Sequence, residues 1–283
     1  MTSAAPAAPA ADQTGHEALI VYCQALALFS AAGTTAAGTG MLSVAGGSWI
    51  PGIGNGAFRT DDTADPIDVL RQADAFFADR ERGYSMKVRD TDVDADLWAT
   101  CVAQEMITFG EPAPQMVRHQ RLGQPSPPAG VTLRAVDDAA GVLDFVAVCS
   151  EAYATYGIPT DVHASLFNPP ALVLAHPSTT IVVASREGRA LATALLFMHD
   201  GVGSVQWVGT VSDARRLGLG QLVTEWVTNA AFDRGATVCT LQASPMGAPL
   251  YEALGYETIY HYQDFTRWFE KSAQRDRHPS PIG

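Results

Sequence analysis

The chain has 283 residues, which is long for one domain and suits two domains of ordinary size. Its net charge of −12 argues against nucleic acid and anionic membrane surfaces as partners, because both need basic patches. The four cysteines lie far apart with no C-x-x-C spacing. This excludes a local zinc knuckle and favours reduced thiols in a cytoplasmic protein.

The first part of the chain contains two apolar stretches that need interpretation. Residues 1–13 are rich in Ala and Pro without a regular pattern, which predicts a disordered tail. Residues 18–33 are apolar enough to suggest a signal peptide or a membrane anchor. However, the first basic residue of the chain is Arg59, and the run is short for a membrane span. We therefore predict a buried helix.

An α/β domain is predicted for residues 14–122. Residues 52–57 formally match the dinucleotide-binding pattern G-x-G-x-x-A, but polar residues follow, so we predict a turn. Asp65-Pro66 opens a helix whose apolar stripe is Val69, Leu70, Ala73, Phe76 and Phe77. A strand over residues 84–88 precedes a second helix over residues 94–106, with Leu97, Val102 and Met106 on one face.

A Pro- and Gly-rich linker over residues 123–130 separates this region from a second series of elements. We predict strands over residues 131–136, 180–185, 190–199, 204–211, 236–242 and 260–268. Helices are predicted around residues 142–149 and 162–167 and after residue 219, and a further short helix is predicted to begin just before Pro249. Residues 269–283 are expected to form a polar tail.

The most informative stretch is residues 204–256. A strand feeds the glycine-rich turn R-R-L-G-L-G at residues 215–220, and a helix with one apolar stripe follows. Such a helix N-terminus binds phosphate through its free N–H groups, and Gly218 and Gly220 let a pyrophosphate approach the backbone. A nucleoside triphosphate loop would need a lysine here, and a dinucleotide fingerprint fails at Val223.

Two motifs remain, R-x-x-G-x-G at residues 215–220 and L-Y-x-x-L-G-Y at residues 250–256. Together they resemble the cofactor half of the GNAT superfamily of acyl-CoA N-acyltransferases. The resemblance implies an α/β (α+β) fold with a mixed, mostly antiparallel central sheet flanked by helices. The catalytic domain would be residues 131–268, preceded by the smaller α/β domain. That first half lacks both motifs, and a degenerate GNAT-like copy is one hypothesis for it.

The resemblance implies which residues bind acetyl-CoA. The central strand would bind the thioester and pantetheine through its backbone, with the Thr210 N–H on the thioester carbonyl. The Arg215 side chain either reaches a phosphate or caps the turn, and Ser244 either contacts the cofactor or caps the next helix. The predicted cofactor-binding residues are Val208, Gly209, Thr210, Val211, Arg215, Arg216, Leu217, Gly218, Leu219, Gly220, Gln221 and Ser244.

Tyr251 matches the tyrosine that protonates the departing thiolate in many family members. The alternative is a ring that only packs against the cofactor. The central strand carries no carboxylate, so the general base is left open among His199, Asp200, His261 and Asp264, or is absent if the amine arrives neutral. Pocket residues expected by position are Tyr153, Tyr156 and Trp207.

We therefore expect a cytoplasmic N-acetyltransferase that moves the acetyl group of acetyl-CoA to a primary amine of a small molecule or peptide. No metal, nucleic acid or membrane partner is expected, and a homodimer is left open. Two other hypotheses are a non-catalytic acyl-CoA-binding or regulatory module and a structural scaffold that binds no cofactor.

Overall fold

The computed structural model describes residues 11–108 and 110–269. Its helices are α1 (Ala11–Leu28), α2 (Pro66–Ala78), α3 (Ala95–Ala103), α4 (Ala139–Ala154), α5 (Asp161–Leu166), α6 (Pro170–Leu174), α7 (Leu219–Asp233) and α8 (Ala248–Ala253). The strands are β1 (Thr34–Gly38), β2 (Met41–Ala45), β3 (Asn55–Arg59), β4 (Tyr84–Arg89), β5 (Ile107–Thr108), β6 (Ala113–Arg118), β7 (Val131–Ala135), β8 (Thr179–Arg186), β9 (Arg189–His199), β10 (Val202–Thr210), β11 (Val238–Gln242) and β12 (Glu257–Arg267).

All these strands belong to one sheet with the order β1-β2-β3-β4-β12-β6-β11-β10-β9-β8-β7, and β5 pairs with β12. Among the described strands, the pairs β3–β4 and β10–β11 are parallel and the others are antiparallel. Helices cover both faces. This confirms the predicted mixed, mostly antiparallel α/β fold.

The two halves of the chain repeat one order of elements. In each half, three antiparallel strands lead into a helix and then into a parallel strand, as β1-β2-β3-α2-β4 and as β8-β9-β10-α7-β11. The halves then exchange strands, because β12 pairs with β4 and β6 pairs with β11. The N-terminal half therefore does not form a sheet of its own. The repeated order favours the hypothesis of a degenerate copy.

The helices form two layers. Residues of α1, α4, α5 and α6 pack together on one face of the sheet. Residues of α2 and α3 pack on the other face beside the N-terminal strands, and α7 and α8 cover that face beside the C-terminal strands. The helix α1 thus lies over strands from both halves of the chain, on the same face as α4.

Most local predictions agree with the structure. The Asp65 side chain accepts a hydrogen bond from the Ile67 N–H at 2.9 Å and caps α2, whose five predicted stripe residues are all buried. The prediction for Val102 was wrong, since this side chain is 58% exposed and Cys101 takes the buried position on α3. The helix α6 was not predicted.

The predicted buried helix near the N-terminus corresponds to α1, whose apolar residues lie in the core. It begins at Ala11 and so includes residues 11–13 of the predicted tail, whereas residues 1–10 and the tail from residue 270 onward lie outside the described part. Within the described part, no helix is both long and apolar enough to cross a membrane. Residues 123–130 contain no helix or strand, and the domain boundaries stay a prediction.

Candidate active site

The first turn of α7 is open to an anion. After β10 the chain makes a 3₁₀ turn over Ser212–Ala214, and then Arg216 and Gly218 adopt positive φ angles of 66° and 76°. Gly218 is the N-cap of α7 and has no side chain to accept a hydrogen bond from the helix N–H groups. These amides therefore have no partner inside the helix, and the helix dipole makes the position attractive to a phosphate.

This loop is held against the end of α4. The Ser212 N–H donates to Glu151 Oε1 at 2.8 Å. The Arg215 guanidinium donates to the Ala152 carbonyl and to Thr155 Oγ1, both at 3.3 Å. These bonds to the end of α4 hold the loop in place, so its amides are oriented before any ligand arrives.

The central strand β10 separates from β11 halfway along its length. The two strands pair from Val202 to Ser204 and no further. Beyond that point the pairing of β10 with β9 is irregular between Gln206 and Gly209, and Trp207 has a positive φ of 52°. A bulge of this kind redirects the backbone and leaves groups unpaired. The result is a gap in the sheet beside residues 205–210.

The Thr210 amide faces this gap. The Val211 N–H donates to the Leu191 carbonyl of β9 at 2.9 Å. Since amides alternate in direction along an antiparallel strand, the Thr210 N–H points to the opposite side, away from β9. It is therefore placed to donate to a group in the gap, whereas the Val211 N–H is already used.

The gap opens into a cavity of about 730 Å³. Its wall combines the α7 loop, the free part of β10, the start of α8 and, on the far side, residues of α1, β3, β4 and β12. A volume of this size lies within the range of small-molecule and cofactor pockets. Both halves of the chain therefore build one cavity.

Tyr251 of α8 lies on the wall of this cavity and is 8% exposed. Its hydroxyl forms no hydrogen bond with any residue in the described ranges. Burial, and to a lesser extent the nearby Tyr156, raises the pKa of Tyr251 above its ordinary value. The hydroxyl is thus protonated at neutral pH and free to donate into the cavity.

Ser244 is used within the protein. Its Oγ accepts a hydrogen bond from the Gly247 N–H at 3.1 Å and lies 2.9 Å from the Tyr156 hydroxyl. The turn that it stabilises leads into α8, which is short and has Pro249 in its first turn, as predicted. Ser244 therefore stabilises the turn before α8 but is not the N-cap of that helix, which is Gly247, and its contact with the cofactor stays a prediction.

The comparisons with known proteins match this geometry. Residues 146–256 match the sequence model of the acetyltransferase (GNAT) family. The chain contains a GNAT-family acetyltransferase domain. It is accordingly an acyltransferase that uses acetyl-CoA. No curated protein matches the sequence.

Solved structures resemble the chain over both of its halves. A GCN5-related N-acetyltransferase from Kribbella flavida is 26% identical with a TM-score of 0.66, over 91% of this chain and 97% of that one. One from Sphaerobacter thermophilus is 15% identical with a TM-score of 0.55, over 81% of each chain. A conserved protein of unknown function from Staphylococcus epidermidis is 11% identical with a TM-score of 0.57, over 83% of this chain and 94% of that one. The last two likenesses concern the fold alone.

Eleven of the thirteen predicted site residues of the GNAT domain lie on the cavity wall. The two exceptions are Val211, which is buried in the core, and Leu217, which is 45% exposed. Arg215 also lies on the wall, although its guanidinium is bonded to the end of α4. The sequence motifs therefore identified residues that the fold brings together.

The four candidate bases are not brought together. His199 and Asp200 lie 3.4 Å apart at the turn between β9 and β10, at the opposite end of β10 from the gap. His261 is paired with Asp90 at 3.0 Å and does not line the cavity. Among the four, Asp264 alone lies on the cavity wall, where it is paired with Lys87.

The contribution of the N-terminal half to the cavity was missed. Lys87 of β4, Tyr22 of α1 and the turn around Gly52 all line it. The Tyr22 hydroxyl accepts a hydrogen bond from Trp207 Nε1 and so links α1 to the bulge of β10. Local patterns could not have found these residues, because they lie far in sequence from both motifs.

Two other kinds of chemistry can be assessed at the site. Cys23 lines the cavity, but burial raises the pKa of its thiol to about 12, so it is protonated and a poor nucleophile at neutral pH. Within the described ranges, no group of three or more His, Cys, Asp or Glu side chains is placed to hold a metal ion.

Proposed function

We propose that the protein transfers the acetyl group of acetyl-CoA to a primary amine of a small-molecule or peptide acceptor. The observation that carries this proposal is the single cavity that joins the α7 loop, the gap beside β10 and the hydroxyl of Tyr251. It offers room for the cofactor on one side and for an acceptor on the other. A cytoplasmic location remains part of the proposal, in keeping with the four free cysteines.

In this proposal, the pyrophosphate of the cofactor is bound by backbone amides of residues 216–221. The positive φ of Gly218 and the absence of a Cβ leave the amides accessible, and an ideal Cβ there would meet no atom within 4 Å. Arg216 is exposed at the loop and adds positive charge. The Thr210 N–H would donate to the thioester carbonyl, where one oriented donor contributes roughly 3 kcal/mol to transition-state stabilisation.

Tyr251 would act as the general acid. The amine nitrogen attacks the thioester carbon, the C–N bond forms, the C–S bond breaks, and the departing thiolate takes the Tyr251 proton. The proton lost by the amine then leaves to solvent, and the phenolate is reprotonated from solvent. A protonated hydroxyl on the cavity wall with no partner among the described residues supports this role, because it is free to donate to the departing sulfur.

The acceptor amine would react in its neutral form. The described part of β10 carries no carboxylate, and Asp264 is already paired with Lys87. Binding in a largely apolar cavity favours the neutral amine over the ammonium ion, since burial disfavours charge. Catalysis would then depend mainly on positioning and on the strand amides.

A thermal-shift experiment with acetyl-CoA, free coenzyme A and ATP tests the cofactor site. Ligand at about 100 times its dissociation constant raises the free energy of unfolding by roughly 2.7 kcal/mol. We expect a shift with both coenzyme A species and none with ATP. Release of thiol from acetyl-CoA in the presence of an amine panel then tests the reaction.

The two results separate the hypotheses. Binding with thiol release in the presence of amines supports the acetyltransferase. Binding without release for every amine would favour the non-catalytic acyl-CoA-binding module. The absence of any shift would favour the scaffold hypothesis.

A further inference from the structure

An ion pair lies in the acceptor side of the cavity, among largely apolar walls. Lys87 Nζ of β4 donates to Asp264 Oδ1 of β12 at 2.8 Å, and the two residues face each other across the paired strands. The Lys87 side chain is 8% exposed and that of Asp264 is 30% exposed. The surrounding wall is apolar and includes Leu19, Leu26, Val44, Ile53 and Phe58.

One oxygen of this pair is unused. Asp264 Oδ2 accepts no hydrogen bond from any residue in the described ranges. Gly52, in the turn between β2 and β3, lies directly in front of it, and an ideal Cβ on Gly52 would be 3.1 Å from Oδ2. The glycine thus keeps the space before the carboxylate free. Because Asp264 is 30% exposed and lines the cavity, this oxygen is open to a hydrogen-bond donor of a bound ligand.

We propose that Asp264 Oδ2 anchors the acceptor by accepting a hydrogen bond from one of its hydroxyl groups. The acceptor is then an amine that also bears a hydroxyl, an amino alcohol or an amino sugar in chemical class. The inference rests on the proposed function, because it assumes that an amine occupies this side of the cavity. In this inference, residues of the N-terminal half and of β12 select the acceptor.

The charges favour a hydroxyl over an ionic group. Lys87 already neutralises Asp264, so Oδ2 offers a hydrogen bond without a free net charge. A second ammonium on the acceptor would lie close to the Lys87 ammonium, and an anionic group would lie against the unshared oxygen. The other carboxylate on the wall, Glu111, is exposed and screened by solvent.

A matched series of small amines tests the inference. We would measure kcat/KM with acetyl-CoA for n-alkylamines, amino alcohols and diamines of three to six carbons. At the best chain length, the amino alcohol should exceed the alkylamine by about tenfold, the value of one hydrogen bond to a charged group. The diamine should show no such gain. Equal values for alkylamine and amino alcohol, or a preference for the diamine, would overturn the inference.

Substitutions at the ion pair test whether Asp264 causes the preference for the amino alcohol. In Asp264→Asn, and in the double variant Lys87→Met with Asp264→Leu, the ratio of amino alcohol to alkylamine should fall to about one, mainly through KM. The double variant removes both charges and so avoids an unpaired buried lysine that would compromise folding. Asp90→Asn breaks a similar pair with His261 on the same strand, outside the cavity, and should keep the ratio.

Three other outcomes are decisive. A fall in kcat for all amines with unchanged KM in Asp264→Asn would identify Asp264 as a base and overturn the anchoring role. An unchanged ratio in both variants would also overturn it. If acetyl-CoA binds but no amine in the series reacts, the proposed function itself fails, and the inference falls with it.

Discussion

The two halves of the molecule share an order of elements but differ where a cofactor would bind. In the C-terminal half, the helix after the third strand starts at Gly218 without a capping side chain and with Arg215 and Arg216 before it. In the N-terminal half, the corresponding helix α2 starts at Asp65, whose carboxylate already accepts a hydrogen bond from the Ile67 N–H of the first turn. Two more carboxylates, Asp61 and Asp62, precede it. One helix start attracts an anion and the other repels it.

The strands that precede these two helices, β3 and β10, differ in how far they extend beyond their parallel neighbours. The strand β3 ends one residue after its last pair with β4, so no free strand backbone extends beyond the pairing. The strand β10 continues for six residues beyond its last pair with β11. In the N-terminal half, the end of β3 is filled by Arg59, which donates to Asp96 at 2.6 Å. Beside it, Arg89 donates to Asp94 at 2.8 Å and to Asp62 at 2.7 Å.

The two halves therefore repeat the order of their elements without repeating a helix start that is open to an anion. The N-terminal half satisfies its own charges and closes its sheet, and it contributes instead a wall of the cavity and the strand β6. The C-terminal half leaves amides and a hydroxyl without partners among the described residues. Four changes test this division, from the largest expected effect to the smallest.

Tyr251→Phe tests whether the chemistry belongs to the C-terminal half. We expect kcat to fall roughly 1,000-fold, about 4 kcal/mol, because the departing thiolate loses its proton donor. The dissociation constant for acetyl-CoA, measured by calorimetry, should stay nearly unchanged. Tyr256→Phe is the control, since that hydroxyl is bonded to Thr228 inside the core. An equal loss of turnover and affinity in Tyr251→Phe would mean that the ring only packs against the cofactor.

Asp94→Ala tests whether the N-terminal half is held together by its own charges. Burial alone would raise the pKa of Asp94, but the hydrogen bonds from Arg89 outweigh it and lower the pKa, so the carboxylate is charged. Its removal leaves Arg89 buried with a single partner and should lower the free energy of unfolding by about 3 kcal/mol in urea. Acetyl-CoA affinity in the folded variant should be kept. A large loss of affinity would contradict the division between the halves.

Gly218→Asp makes the start of α7 resemble that of α2. The new carboxylate would lie at the pyrophosphate amides and should weaken acetyl-CoA binding about 100-fold, roughly 2.7 kcal/mol. Gly188→Asp is a matched control, because Gly188 also has a positive φ and open space around its Cβ position. Unchanged binding in Gly218→Asp would place the phosphates elsewhere.

His163→Leu tests how a buried histidine of the C-terminal half affects stability at low pH. The matching buried histidine of the N-terminal half is His16. The ring nitrogens of His16 lie near the Tyr262 hydroxyl and the Arg59 carbonyl, whereas both nitrogens of His163 lack partners among the described residues. Burial lowers the pKa of His163 to about 4 from an ordinary value of 6.5, so the unfolded chain binds the proton more readily. Stability should therefore be lost as the pH falls through this window, by about 2 kcal/mol between pH 7 and 5.

In His163→Leu this part of the acid sensitivity should disappear. Urea unfolding at both pH values, compared with the unsubstituted protein, measures the difference. If the two proteins lose the same stability between pH 7 and 5, the imidazole is not kept neutral in the folded state.

The local elements of this fold were largely readable from the sequence. The stripe of α2, its Asp65 cap and the buried start of α7 follow from periodicity and capping rules, which involve residues within one or two turns. The glycine-rich turn before α7 was also predicted, since R-x-x-G-x-G lies within six consecutive residues. Val102 was placed wrongly because a short helix offers too few turns to define its buried face.

What the sequence by itself determined is the strand, loop and helix start proposed to bind the cofactor, because each of these is formed by residues close together in the chain. Only the tertiary structure decided the exchange of β6 and β12 between the halves, and with it the pairing of Lys87 with Asp264, 177 residues apart. Alternation along a strand defines which face is buried and does not specify which strand lies beside it. The wall proposed to bind the acceptor is built from such distant pairings, and for that reason it emerged only from the folded chain.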